Sequence, residues 1–250
     1  MTSGTARIER LSVILVSPEG IGPSPESLAH AFGLSDDVLV VGAEKAVADA
    51  KIRILPGEPA PIALMLARLA SIELRRWRLW LCCDERLDAA ARASVASIVA
   101  KGDESTAWRW AIEWRCWDRS VRSTPPGLPE VRLWAGDLPV LAVGPLGLSQ
   151  ARDRIAPRRA TGRVVFEPRE TSSQQIERAN RFVSIATTHA VGDNAPTALG
   201  GWLLLRWLRE WLGHGNWRRG AAGFVVTFMH HFWLPLLLNG RVRERFAEAS

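Results

Sequence analysis

Leu11–Val16 (LSVILV) is a short, β-branched apolar run that stops at Ser17-Pro18-Glu19-Gly20, which predicts a buried strand running into a loop. The pattern then turns helical over Pro25–Phe32 and returns to a buried strand at Asp37–Val41 (DVLVV). Lys51–Leu55 (KIRIL) is a third strand, and a Pro-rich stretch separates it from a helix over Ala60–Leu74. Trp77–Leu81 (WRLWL) is the next strand, closed by Cys82-Cys83-Asp84-Glu85-Arg86, with a helix over Asp88–Ala100. Trp108–Trp117 and Val131–Trp134 read as further strands between turn-rich segments. Strands alternating with helices predict an α/β fold, a Rossmann-like and mostly parallel sheet with helices on its faces. Ligands of such sheets sit beyond the carboxyl ends of the strands, so Ser17–Gly20, Gly42–Lys45 and Cys82–Arg86 form the expected rim of a site.

From Ser172 the pattern changes. Ser172–His189 predicts a polar helix with an apolar stripe through Ile176, Phe182, Ile185 and Ala186. Leu199–Leu212 (LGGWLLLRWLREWL) and Ala221–Leu238 are apolar helices separated by a Gly-rich turn, and neither holds the roughly 20 uninterrupted apolar residues of a membrane span. Arg218, Arg219, Arg241, Arg243 and Arg245 flank them, the arrangement of helices that lie in the surface of an anionic leaflet. A buried helical hairpin or a homodimer interface accounts for the same apolar faces. The chain thus divides into an α/β domain over 1–171 and a helical, membrane-associating region over 172–250.

Composition narrows the partners. A net charge of +6 comes almost wholly from arginine, since the lysines are Lys45, Lys51 and Lys101, and it calls for an anionic partner. No nucleic-acid-binding pattern, zinc spacing or arginine run along one short helix is present, which sets nucleic acid aside. Tryptophan is used 12 times and tyrosine never, in clusters at 77–117 and 202–233, and the second cluster fits a membrane interface. Cys82, Cys83 and Cys116 form no disulfide framework, and the polar start Met1–Arg10 has no basic-then-apolar signal segment. Both point to the cytoplasm, peripheral to the inner membrane.

Three blocks then resemble one known family, the family 2 glycosyltransferases of the lipopolysaccharide-core glucosyltransferase type. They are Leu11–Val16 with Ser17-Pro18-Glu19-Gly20, Asp37–Val41 with Gly42-Ala43-Glu44-Lys45, and Trp77–Leu81 with Cys82-Cys83-Asp84-Glu85-Arg86. Asn180-Arg181-Phe182 is similar to the family's helix start, and Asn216-Trp217-Arg218-Arg219-Gly220 to a turn before its final apolar helix. The resemblance spans nearly the whole chain and implies a GT-A-like fold that binds a nucleotide sugar and transfers the sugar to a cell-envelope polysaccharide or lipid.

The same resemblance assigns the site. Ser17, Glu19, Gly42, Glu44 and Arg86 are the expected nucleotide-sugar contacts and Asp84 the ligand of Mg²⁺ or Mn²⁺; the family's histidine–glutamate pair near the acceptor is missing here, and Asp137 or Glu130 could serve as the base in its place. Arg86 or Arg132 could neutralise phosphate without a metal. Gly42 stands where the family has a nucleoside-gripping Asp, Cys82 stands where it has the first Asp of the metal pair, and no histidine lies between His30 and His189. A soft thiol suits Mg²⁺ poorly. Two functions therefore remain in view: an active transferase, and a pseudo-glycosyltransferase that binds or regulates an active one. A plain alternative makes Asp84-Glu85-Arg86 the surface start of a helix capped near Asp88, and His230-His231 core residues.

Overall fold

In the computed structural model the run Leu11–Val16 is a strand, β1, with all six residues buried. The structure describes residues 7–18, 20, 22–43, 51–117, 119–124, 131–136, 141–143, 149–151, 157–167, 172–189 and 200–249. β2 (Asp37–Val41), β3 (Ile52–Leu55) and β4 (Trp77–Cys82) run parallel to β1, in the spatial order β3-β2-β1-β4. Val13 pairs with Val38 on one side and Leu79 on the other. Apart from Asp37, Arg53 and Arg78 these strands are largely apolar, because both faces are covered. Leu11, Val13 and Leu15 enter a core with Ala31, Ala91, Val95 and Ile98, while Ile14 and Val16 enter a second core with Met65, Leu66, Leu69 and Trp80. The two-residue period of a strand thus sorts one run into two layers.

The helices follow the capping rules. α1 (Pro25–Phe32) has Pro at its first position and Ser24 as N-cap, whose hydroxyl accepts from the Ser27 N–H at 3.2 Å. α2 (Ile62–Ala67) tightens into a 3₁₀ turn over Arg68–Ser71, so the helix expected through Leu74 ends three residues early. α3 (Ala89–Lys101) is capped by Asp88, which accepts from the Ala91 N–H at 2.7 Å, and closes at Gly102 with φ +68°.

Beyond β4 the sheet becomes mixed. β5 (Glu85–Leu87), β6 (Trp108–Cys116), β7 (Arg119–Arg122), β8 (Leu133–Ala135) and β11 (Arg158–Phe166) complete nine strands in the order β3-β2-β1-β4-β8-β6-β11-β5, with β7 against β6. β8 is antiparallel to β4 and β6, whereas β11 is parallel to β6. β9 (Leu141–Val143) and β10 (Ser149–Ala151) form a separate antiparallel pair. Only two residues separate β5 from β4, yet β5 pairs antiparallel with the carboxyl end of β11, so the sheet curls. This corrects the expected rim: Cys82–Arg86 does not simply close β4, because Glu85 starts another strand.

The remainder is helical: α4 (Ser172–Thr188), α5 (Gly200–Gly213), α6 (Gly220–Phe228) and α7 (Leu234–Ala249). A 3₁₀ turn, Asn216–Arg219, leads into α6, and a π-helical turn, Met229–Trp233, joins α6 to α7. The wide turn directly precedes Pro235, which has no N–H for the ladder and a ring that would strike the carbonyl four residues back. Asn216–Glu244 is consequently one helix of 29 residues whose apolar 18-residue stretch has mean hydropathy 1.5, long and apolar enough to cross a membrane, although half of that stretch is buried in the protein. Of the two expected apolar helices, Leu199–Leu212 is found as α5, and Ala221–Leu238 is found but extends further at both ends. Asn180-Arg181-Phe182 lies within α4 and starts no helix, and α4 packs through Val183 and Ala186 onto Leu234 and Leu238 while Ile176 of the expected stripe is exposed.

Candidate functional site

The parallel strands deliver their carboxyl ends to one edge, and the strand order reverses between β1 and β4. A crevice at such a reversal is where open α/β sheets bind ligands. Here the two loops are tied together: the Ser17 N–H donates to Val41 O at 2.9 Å, the Cys83 N–H donates to Val16 O at 3.1 Å, and the Ser17 side chain bonds the Cys83 thiol. Burial, and after it the charge of Asp84, pushes the Cys83 thiol up to about 12. Burial and the nearby Glu85 carboxylate raise the Cys82 thiol well above its ordinary value. Both thiols are therefore protonated at neutral pH and are not metal ligands in that form.

Gly42 holds φ +84° and donates its N–H to Leu55 O at 3.0 Å. A Cβ there would lie 2.6 Å from the Met65 methyl and 2.7 Å from the Ser17 carbonyl oxygen. Glycine at the position of the family's aspartate thus has a local steric reason: Met65 occupies the space a side chain would need.

Asp84 sits in the turn after β4, partly exposed, and its Oδ2 lies 2.6 Å from Nη1 of Arg178 on α4. The Arg178 guanidinium also lies 5.5 Å above the Phe166 ring at the end of β11. Glu85 faces the interior, where Arg132 forms two hydrogen bonds to its carboxylate at 2.7 and 2.9 Å, and the Cys82 N–H donates to it at 2.8 Å. The Arg132 guanidinium in turn lies 3.7 Å from the Trp80 ring centre. Both side chains of that ion pair are only 2% exposed. This corrects the expectation that Arg132 could neutralise phosphate, since its guanidinium is buried against Glu85. Arg86 projects from β5 and pairs with Glu167 at the β11 end of the edge.

Glu19, Glu44, Glu130 and Asp137 lie outside the described residues. Among the described residues the donors around Asp84 do not make a site for Mg²⁺ or Mn²⁺: they are one carboxylate, already paired with a guanidinium, and two neutral thiols, and no cluster of three such ligands occurs among them. Arg178 and the Glu85–Arg132 pair are what the sequence did not disclose. The one signal available was an arginine inside the apolar run Val131-Arg132-Leu133-Trp134. Comparison with known protein families and with curated proteins yields no match to this chain. The geometry of the β1–β4 edge therefore carries the functional reading by itself.

Proposed function

We propose that the chain is a GT-A-type nucleotide-sugar-binding domain, of glycosyltransferase ancestry, that serves transfer of a sugar to a cell-envelope polysaccharide or lipid acceptor. The observation that carries this reading is the reversal of strand order between β1 and β4, with Ser17 and the Asp84–Arg178 pair at its carboxyl edge. The antiparallel β8 beside β4 and the resemblance of the three strand-and-loop blocks support it further. A diphosphate needs its charge neutralised, and Arg178 is the group suited to do so: a guanidinium has five N–H donors and can hold Asp84 and a phosphate oxygen together. Asp84 then acts as the positioning residue for Arg178 and ligates no metal.

Calorimetry of the full chain with UDP- and GDP-sugars, with EDTA and with Mn²⁺, tests this. Binding in EDTA that weakens at least ten-fold in Arg178→Gln is expected. Binding only with Mn²⁺ would refute the metal-free part, and no binding to any donor under either condition would reject the reading.

The neutral thiols and the paired Asp84 favour a second reading, a glycosyltransferase-like protein that binds donor but acts as partner of an active transferase. Sugar transfer by the isolated chain, lost in Asp84→Ala, would remove it; co-purification of a second transferase without turnover would support it.

A further inference from the structure

α5 is apolar on two opposite faces. Leu203 and Trp207 are buried, with Trp207 meeting the Phe224 and Phe228 rings of α6 edge-on at 5.3 and 5.8 Å. The other face carries Trp202, Leu205 and Leu212, which are 56%, 67% and 55% exposed. At about 100° per residue these three fall along one stripe, and Arg209 falls among them. Trp217 of the 3₁₀ turn and Phe224 of α6 are exposed as well, at 49% and 41%. Trp77, Trp80 and Trp110 of the first tryptophan cluster and Trp207 of the second are core, whereas Trp117 of the first and Trp202 and Trp217 of the second face outward. A second apolar face, left in water on a helix whose first is already packed, calls for a covering partner.

The rim of the patch is cationic. The Arg206 guanidinium lies 5.4 Å from the Trp202 ring and that of Arg218 4.9 Å from the Trp217 ring, with Arg209 and Arg219 exposed beside them. Aromatic rings paired with arginines that reach past them suit a boundary between acyl chains and charged headgroups.

We infer that this face docks on the anionic leaflet of a phospholipid bilayer, with α5 lying in the headgroup plane. Charge decides between a bilayer and a second copy of the chain. A two-fold interface would set the arginine rim of one copy against that of the other, whereas anionic headgroups neutralise it. The length of Asn216–Glu244 does not make it a span. The Asn216 amide donates to Arg122 O at 2.7 Å and accepts from the Arg122 N–H at 3.2 Å, so it clamps the start of the helix to β7. Ser123 bonds His230 Nδ1 at 2.7 Å and His231 Nε2 at 3.2 Å, which holds its middle. The helix lies on the protein, and the protein lies on the membrane.

Flotation of the full chain with vesicles of pure phosphatidylcholine, and of phosphatidylcholine mixed with phosphatidylglycerol, tests the docking separately from nucleotide binding. Flotation with the anionic vesicles alone is expected, falling at least ten-fold in Leu205→Glu and about five-fold in Arg209→Gln, the loss for one basic residue at such a surface. Both substitutions are on the exposed face, and unchanged circular dichroism verifies their folding. Flotation on neither vesicle, equal flotation on both, or indifference to Leu205→Glu would overturn the proposal. So would light scattering that shows a dimer in solution which Leu205→Glu dissociates.

Discussion

Replacing Glu85 by alanine leaves the Arg132 guanidinium buried without its counter-charge. Arg132 loses two hydrogen bonds of 2.7 and 2.9 Å, and the Cys82 N–H loses its acceptor at 2.8 Å. Breaking a buried pair from one side costs about 3–5 kcal/mol, to which an orphaned backbone N–H adds about 1–3 kcal/mol. The cation stays against the Trp80 ring in both proteins, so that contact cancels, and the lower end of the summed range is about 4 kcal/mol. A net loss of about 4 kcal/mol is expected, a large share of the roughly 5–15 kcal/mol that holds a domain together. In urea titrations followed by circular dichroism, a slope of about 2 kcal/mol per molar turns this into a midpoint lower by about 2 M. The double variant Glu85→Leu/Arg132→Met removes both charges and keeps the volume, so it should lose less than half as much. A loss below about 1 kcal/mol in Glu85→Ala, or a double variant as unstable as the sum of the singles, would refute the account of this pair as a mutually dependent buried unit.

Two further outcomes concern stability. Burial, followed by neighbouring positive charge, lowers His30 to about 4 and His230 to about 3, and burial lowers His231 to about 4, against an ordinary value of 6.5. The folded chain therefore binds fewer protons than the unfolded chain below pH 6.5, and each histidine removes up to about 1.4 kcal/mol of stability per pH unit as the pH falls toward its folded value. Thermal midpoints at pH 7.5 and pH 5 should differ by many degrees, and equal midpoints would mean these rings are not held neutral. Gly162 has φ +93°, and a Cβ there would lie 2.1 Å from the Ala91 backbone nitrogen of α3. Gly162→Ala should cost about 2–5 kcal/mol by urea titration, whereas Gly102→Ala, at φ +68° with open space, should cost about 1 kcal/mol; equal costs would remove the close approach of β11 to α3 as the cause.

The left half of the sheet was legible because its signals are local. β1, α1 and β2 have the bounds that the apolar runs, the Ser24-Pro25 start and the turn residues mark. β5, β7 and β11 were not legible, because Glu85-Arg86-Leu87, Arg119–Arg122 and Arg158–Phe166 carry charges that read as surface loops. Their polarity is accommodated by ion pairs that no spacing announces: Arg163 with Glu113, Arg86 with Glu167, and Arg132 with Glu85 across 47 positions of sequence. Of the expected site residues, Ser17, Gly42 and Asp84 were placed at the edge by the end-of-strand rule alone. Arg178 comes from a helix whose register against Asp84 is set by α4 packing on α7, a tertiary contact.

That contact also joins the two halves of the functional picture. α4 brings Arg178 to the end of β4, and the same helix packs on α7, which continues the helix that Asn216 and Ser123 fasten to the β6–β7 hairpin. Val121 of that hairpin packs against Ala222 and Val226 of α6. The hairpin leaves the carboxyl end of β6, which is parallel to β1, so the helices with the exposed tryptophan and arginine face are carried from the edge that bears Asp84. A domain resting on a bilayer through α5 then has its sheet's ligand edge toward the support of the docking helices, where an acceptor anchored in lipid is confined to the same surface. On the proposed docking the C-terminal helices serve the candidate site as well as the attachment, because removing them would take away both the arginine rim and the α7 face on which α4, the helix that bears Arg178, packs.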